Sequence, residues 1–149
     1  KEEAPQVYEI VRNLTKKAFE VIPDKNTLLC CPYPVKHNLV PYYYNAADVL
    51  VLSSYKEGSP NVIKEAMACN LPIVTTNVGD VKWVIGNTNG CYFSSYKHEM
   101  FAKKIRLALN YSEKYSKTNG RGRIIQLGLD KEKIEEKLIS IYNKVLIKS

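Results

Sequence analysis

The run Asp48-Val49-Leu50-Val51-Leu52-Ser53 is apolar on both faces of any strand it can form, and no other feature narrows the fold so far. A strand with one wet face alternates polar and apolar residues. One without a polar face must be covered on both sides, as in parallel sheets flanked by helices. A second apolar run, Pro72-Ile73-Val74-Thr75-Thr76, follows it, and between the two Val62, Ile63, Ala66 and Met67 recur at helical spacing. Strand, helix, strand predicts a parallel crossover, with the four helical residues turned into the core.

The rest of the chain continues the alternation. Val7, Ile10, Val11, Leu14, Ala18 and Phe19 predict an amphipathic helix over 6–21. A turn at Pro23–Asn26 leads to the short strand Thr27–Cys31, which Pro32-Tyr33-Pro34 ends. Residues 38–47 read as a short helix with Pro41 in its first turn. Asn77–Asp80 is a loop, and Asn89-Gly90 turns into a short edge strand through Phe93. Helices follow over about 97–116 and 119–127, and Gly128 breaks the chain. Asp130 caps a last helix whose apolar residues Ile134, Leu138, Ile141 and Val145 recur by four, three and four. The fold class is α/β with a mainly parallel sheet, as one domain over 1–149.

The chemistry concentrates between Glu57 and Glu65, two carboxylates eight positions apart. Ser59 suits an N-cap and Pro60 the first helical position, where its missing N–H costs nothing. The free amides of Asn61 and Val62 then point out of the helix with a partial positive charge behind them, which suits a phosphate. Gly58 lets a ligand approach the backbone without meeting a Cβ. Glu65 lies one turn beyond Asn61 on the same face. Ligands of open parallel sheets bind outside the carboxyl ends of the strands, where both the Glu57 and the Gly79 loops fall. The arrangement predicts a phosphate flanked by hydroxyl-bearing groups.

Composition excludes several alternatives. No apolar run approaches the ~20 residues that span a bilayer. Lys1-Glu2-Glu3-Ala4-Pro5 has neither an initiator Met nor a signal-peptide pattern, and reads as a cut in a longer chain. Cys30, Cys31, Cys69 and Cys91, with His37 and His98, make no metal-ligand spacing, so free, partly buried thiols in a reducing cytoplasm are expected and no metal site is. The net charge of +7 gathers between Lys97 and Arg123. That segment is either a solvated helix face or an attraction for an anionic membrane surface, a phosphorylated donor or an acidic polymer. Nucleic acid is disfavoured, because Tyr42, Tyr43 and Tyr44 cluster away from the basic residues.

Tyr44-Asn45-Ala46-Ala47-Asp48 through Ser54, Glu57-Gly58-Ser59-Pro60-Asn61, Glu65-Ala66-Met67-Ala68 and Leu71-Pro72 through Asp80 together resemble the C-terminal domain of family 4 retaining glycosyltransferases. The resemblance runs over about residues 27–147. It implies a Rossmann-like three-layer sandwich, one half of a GT-B fold, that binds a UDP- or GDP-sugar for transfer to a glycan or lipid-linked acceptor. By that resemblance Glu57 is the catalytic-site carboxylate on the hydroxyls of the transferred sugar. Gly58, Ser59, Pro60, Asn61 and Val62 meet the sugar and diphosphate, Glu65 accepts from the ribose hydroxyls, and Cys31, Pro32 and Tyr33 lie near the base. Transfer in the family is described as a front-face process without a protein nucleophile or divalent metal, so no cofactor is expected. A facing N-terminal domain, with the acceptor site and a catalytic His, and a strand and loop bringing Arg and Lys to the diphosphate lie outside the match. Little transferase activity is expected of these 149 residues alone.

Blander readings stand beside these. Glu57 can cap a turn, and Glu65 can be a solvated carboxylate paired with a lysine. Ser59 is a cap rather than a nucleophile, with no His near it in sequence. Tyr42–Tyr44 pack a half-buried helix, Trp83 is a core residue, and Lys56 and Lys64 either assist the diphosphate or are solvated. Gly79 permits a tight turn or touches the sugar. The competing function is a non-catalytic module that docks by its basic helices on a membrane or partner.

Overall fold

A computed structural model describes residues 36–146; the helix expected over 6–21, the strand at 27–31 and Cys31, Pro32 and Tyr33 lie outside them. Three parallel strands, β1 (Leu50–Leu52), β2 (Ile73–Thr75) and β3 (Cys91–Phe93), stand in the order β1-β2-β3. Leu50 pairs with Ile73, and Ile73 with Cys91. The helices are α1 (Val40–Ala46, after a 3-10 turn at His37–Leu39), α2 (Asn61–Ala68), α3 (Val81–Ile85), α4 (His98–Tyr115), α5 (Gly120–Gln126) and α6 (Lys131–Leu146).

The doubly apolar strands are explained by two separate cores. Leu50, Leu52, Ile73, Cys91 and Phe93 meet Ile63 and Met67 of α2, Val81 and Ile85 of α3, and Ile124 of α5. The intervening residues Val51, Val74 and Tyr92 meet Phe101, Ala102, Ile105 and Ala108 of α4 on the opposite face. Alternate side chains of a strand point to opposite faces, so both sets must be apolar when helices cover both. The result is the Rossmann-like three-layer arrangement. Burial also pushes the Cys91 thiol up to about 12, so it stays protonated within the core face of β3.

Asn70 joins the end of α2 to the start of α5. It takes a positive φ of 56° as α2 ends, and its carbonyl accepts from the Thr118 amide at 2.8 Å. Its Oδ1 accepts from the Arg121 amide at 2.8 Å, filling one of the orphan donors in the first turn of α5. Arg123 is spent in a similar way at the end of α3. Its guanidinium donates to the carbonyls of Trp83 at 3.0 Å and Val84 at 3.3 Å.

Several expectations need correction. Residues 81–85, to which the sequence assigns no element, form a helix after the Asn77–Asp80 loop, because Val81, Val84 and Ile85 share one buried face. Trp83 lies on the other side of that turn and is 53% exposed, not a core residue. Val62 likewise faces out from α2, whereas Ile63, Ala66 and Met67 are buried. Tyr42 and Tyr43 are exposed, which leaves Tyr44 as the packing residue of its cluster. Asp130 does cap α6, its Oδ1 accepting from the Lys133 amide at 3.0 Å. Nevertheless, no described residue of α6 is buried, and Ile134, Leu138, Ile141 and Val145 are all exposed. Among the described residues, no helix is long and apolar enough to cross a membrane.

Candidate functional site at the carboxyl edge of the sheet

Because the strands are parallel, the segments after β1, β2 and β3 emerge at one edge. Hydrogen bonds tie the three together. The Thr76 amide donates to the Leu52 carbonyl at 3.1 Å, and Thr76 Oγ1 to the Ser54 carbonyl at 2.6 Å. Tyr96, beyond β3, stacks on Tyr55 with ring centroids 4.3 Å apart and donates its hydroxyl to the Ser54 carbonyl at 3.0 Å. The edge is therefore built as one unit, and the Glu57 loop, which follows β1, is part of it.

Glu57, Gly58 and Ser59 are all exposed in that loop, and a Cβ built on Gly58 meets nothing within 4 Å. The backbone there is open to a ligand. Behind it the Gly79 loop packs closely. Gly79 has a φ of +52°, and the Asp80 amide donates to the Gly58 carbonyl at 3.1 Å. A Cβ on Gly79 overlaps that carbonyl oxygen and comes within 2.8 Å of the Glu57 carbonyl. Of the two readings for Gly79, the tight junction is the one this geometry supports.

Ser59 is not the N-cap. Pro60, buried and extended at φ −67° and ψ 118°, occupies that position without a side-chain cap. Asn61 and Val62 therefore open α2, one residue later than expected, and their amides are first-turn donors without intrahelical acceptors. The hydroxyl of Ser59 is used elsewhere: it donates to Asp80 Oδ2 at 2.5 Å and accepts from Lys64 Nζ. Lys64 also lies 3.6 Å from Asp80 Oδ2. This Lys64–Ser59–Asp80 chain clamps the Glu57 loop to the loop after β2. Asp80 Oδ1 is buried and has no hydrogen-bond partner among the described residues.

Glu65 stands one turn into α2, partly buried, and Tyr44 of α1 donates its hydroxyl to Oε2 at 2.9 Å. Beside them α1 and α2 border an open apolar pocket of about 160 Å³, lined by Val40, Pro41, Tyr44, Glu65 and Ala68 among others. Neither Tyr44 nor Asp80 is foreshadowed as a site residue by local spacing. Tyr44 lies 21 positions before Glu65, as Asp80 lies 21 after Ser59, so only the tertiary fold brings them in. The one available signal for Tyr44 was a hydroxyl on a helix face otherwise fit for packing.

Of the predicted site residues, the structure brings Glu57, Gly58, Ser59, Pro60, Asn61, Val62 and Glu65 to this edge. No basic side chain besides Lys64 is tied into the clamp among the described residues, and part of the basic stretch is engaged elsewhere. Lys104 lies over the Tyr92 ring, Lys114 over Tyr115, and Arg123 is bound to α3 carbonyls. Among the described residues, no group of three or more His, Cys, Asp or Glu side chains is placed to hold a metal ion.

An α/β domain of this kind is an open parallel sheet flanked by helices, an architecture whose ligands bind outside the carboxyl ends of the strands. The chain belongs to the glycosyl transferases group 1 family, whose model matches residues 31–124. It is 33% identical over 120 residues to the capsular polysaccharide biosynthesis glycosyltransferase CapM of Staphylococcus aureus, covering 77% of this chain and 31% of that protein. It is 34% identical over 101 residues to an uncharacterized glycosyltransferase of Haemophilus influenzae, covering 66% and 29%. With spore coat protein SA of Bacillus subtilis it shares 32% identity over 114 residues, covering 74% and 30%. The chain thus spans about a third of the length of these relatives. No solved structure matches it significantly.

Proposed function

We propose that this chain is the nucleotide-sugar-binding part of a retaining glycosyltransferase that builds a glycan or modifies a lipid-linked acceptor in the cytoplasm, at the inner face of the membrane. The observation that carries the reading is the single edge on which Glu57, the start of α2 and Glu65 stand in that order. Glu57 accepts hydrogen bonds from hydroxyls of the sugar being transferred. The amides of Asn61 and Val62 take the diphosphate, with the open backbone of Gly58 beside them. Glu65 accepts from the ribose, since a carboxylate binds a vicinal diol through charge-assisted bonds. The base falls toward Cys31, Pro32 and Tyr33.

The chemical contribution of this edge is electrostatic. Departure of a nucleoside diphosphate builds negative charge on its terminal phosphate, and a helix N-terminus stabilises that charge without moving. The clamp of Lys64, Ser59 and Asp80 holds the loop ready before the ligand arrives. The acceptor comes from a facing domain, and the similarity to CapM, a glycosyltransferase of capsular polysaccharide biosynthesis, supports a surface polysaccharide as product.

Calorimetric titration with UDP, GDP and their sugars tests the reading. One nucleotide is expected to bind, and Glu65→Ala to weaken it at least about tenfold through loss of charge-assisted bonds. No binding by any nucleotide would favour the non-catalytic module instead. In a radiolabelled transfer assay these 149 residues are expected to turn over little or no donor. Rapid sugar transfer by the chain alone would overturn the assignment of the acceptor site to another domain.

A further inference from the structure

Tyr44 reaches Glu65 from α1, whose end is bonded within the helix and touched by Lys117. Its neighbour Asn45 donates Nδ2 to the Pro41 carbonyl at 2.8 Å, and the Asn45 carbonyl accepts from Lys117 Nζ at 3.5 Å. The ring packs against the core that includes Ile63 and Met67, so the phenol has little freedom to follow the carboxylate. The carboxylate must follow the phenol. Burial first, then the hydrogen bond and charge of Glu65, push Tyr44 well above its ordinary ionisation range, so the hydroxyl remains a donor at any working pH.

A carboxylate offers about four lone-pair sites. Tyr44 takes one on Oε2, and no other described residue donates to either oxygen of Glu65. Among the described residues, both sites on Oε1 and one on Oε2 remain, enough for the two hydroxyls of a vicinal diol. An unpinned glutamate rotates about three side-chain torsions and must be ordered by the ligand itself, at a cost in affinity. With Oε2 fixed by the phenol, the free sites are presented in one orientation.

We propose that Tyr44 is a positioning residue that orients Glu65 for a cis-vicinal diol, and thereby makes the site select ribonucleotides over 2′-deoxyribonucleotides. The inference rests on the reading of Glu65 as the ribose carboxylate. Tyr44→Phe keeps the ring and removes only the hydroxyl. In the 149-residue chain it weakens the bound nucleotide, UDP or GDP, about tenfold. It weakens the corresponding 2′-deoxynucleotide much less, so the ribo-to-deoxy ratio falls. With Glu65→Ala already in place, Tyr44→Phe costs no further affinity, because the two residues act as one unit.

Calorimetry with the four nucleotides on wild type, Tyr44→Phe, Glu65→Ala and the double variant decides the matter, with thermal unfolding to compare their folds. Glu65→Gln provides a second carboxylate variant of nearly unchanged shape. A lowered ratio and non-additive losses support the proposal. An unchanged ratio in Tyr44→Phe, with Glu65→Ala still weakening UDP or GDP, overturns it and leaves the donor site standing. Unchanged nucleotide affinity in both Glu65→Ala and Glu65→Gln overturns the ribose reading itself, and the proposal with it.

Discussion

Replacing Gly79 by alanine is expected to destabilise the domain by about 3 kcal/mol and to weaken nucleotide binding at the same time. The left-handed backbone accounts for about 1–2 kcal/mol of this for any residue with a Cβ. The remainder comes from the neighbouring loop. The new Cβ overlaps the Gly58 carbonyl oxygen and lies 2.7 Å from its carbon, both backbone atoms, so relief requires moving the Glu57–Ser59 segment. That movement strains the bond from the Asp80 amide to the Gly58 carbonyl and the contact of Ser59 with Asp80. Urea unfolding reads the first effect and titration with UDP or GDP the second. Wild-type stability in Gly79→Ala would show that the two loops are not tightly coupled.

Phe101→Ala is expected to cost more, about 3–5 kcal/mol, against the 5–15 kcal/mol that holds a typical domain together. Phe101 is fully buried under α4 and packs on Val74 at the centre of the sheet. Its removal leaves a cavity lined by Ala102, Ile105 and Ala108, small or rigid neighbours that cannot collapse into it. The comparison with Gly79→Ala is the informative part. Phe101 lies on the face of the sheet opposite α2, so while the protein is folded its nucleotide affinity is expected to hold. A loss of less than about 1 kcal/mol of unfolding free energy, read by urea titration, would mean that α4 is not part of the cooperative core.

The sheet and the carboxylate pair were legible because local patterns determine them. Runs apolar on both faces, as at Asp48–Ser53 and Pro72–Thr76, have few places to go other than between two layers of helices. The placing of Glu57 on a loop and Glu65 one turn into the following helix was likewise local, since only eight positions separate them. Long-range partners were not legible. Ser59 has every local qualification for a cap, yet Asp80 and Lys64 compete for its hydroxyl and Pro60 takes the capping position. Tyr44 read as a packing residue because nothing within its own helix reveals what its hydroxyl faces.

Amphipathic spacing also has limits, as α6 shows. A four-three-four repeat of apolar residues indicates that one helix face is apolar, but it does not name the surface that face meets. The same spacing in α4 buries Phe101, Ile105 and Ala108, whereas in α6 the corresponding residues are exposed. In α3 the pattern was too short to stand out from its loop, although Val81, Val84 and Ile85 carry it. Trp83 was misplaced for the same reason, since size suggested burial where register decided otherwise.

The pairing of Leu50 with Ile73, and of Ile73 with Cys91, has a kinetic consequence. Each strand joins the one just before it, so every closure spans a short stretch of chain and its entropic cost stays low. The whole of α2 lies within the first such closure. Nucleation of the sheet and assembly of α2 are therefore the same event in time. A ligand gripping that helix would act as a brake on unfolding at the step where β1 and β2 part, while α6 remains free to fray on its own schedule.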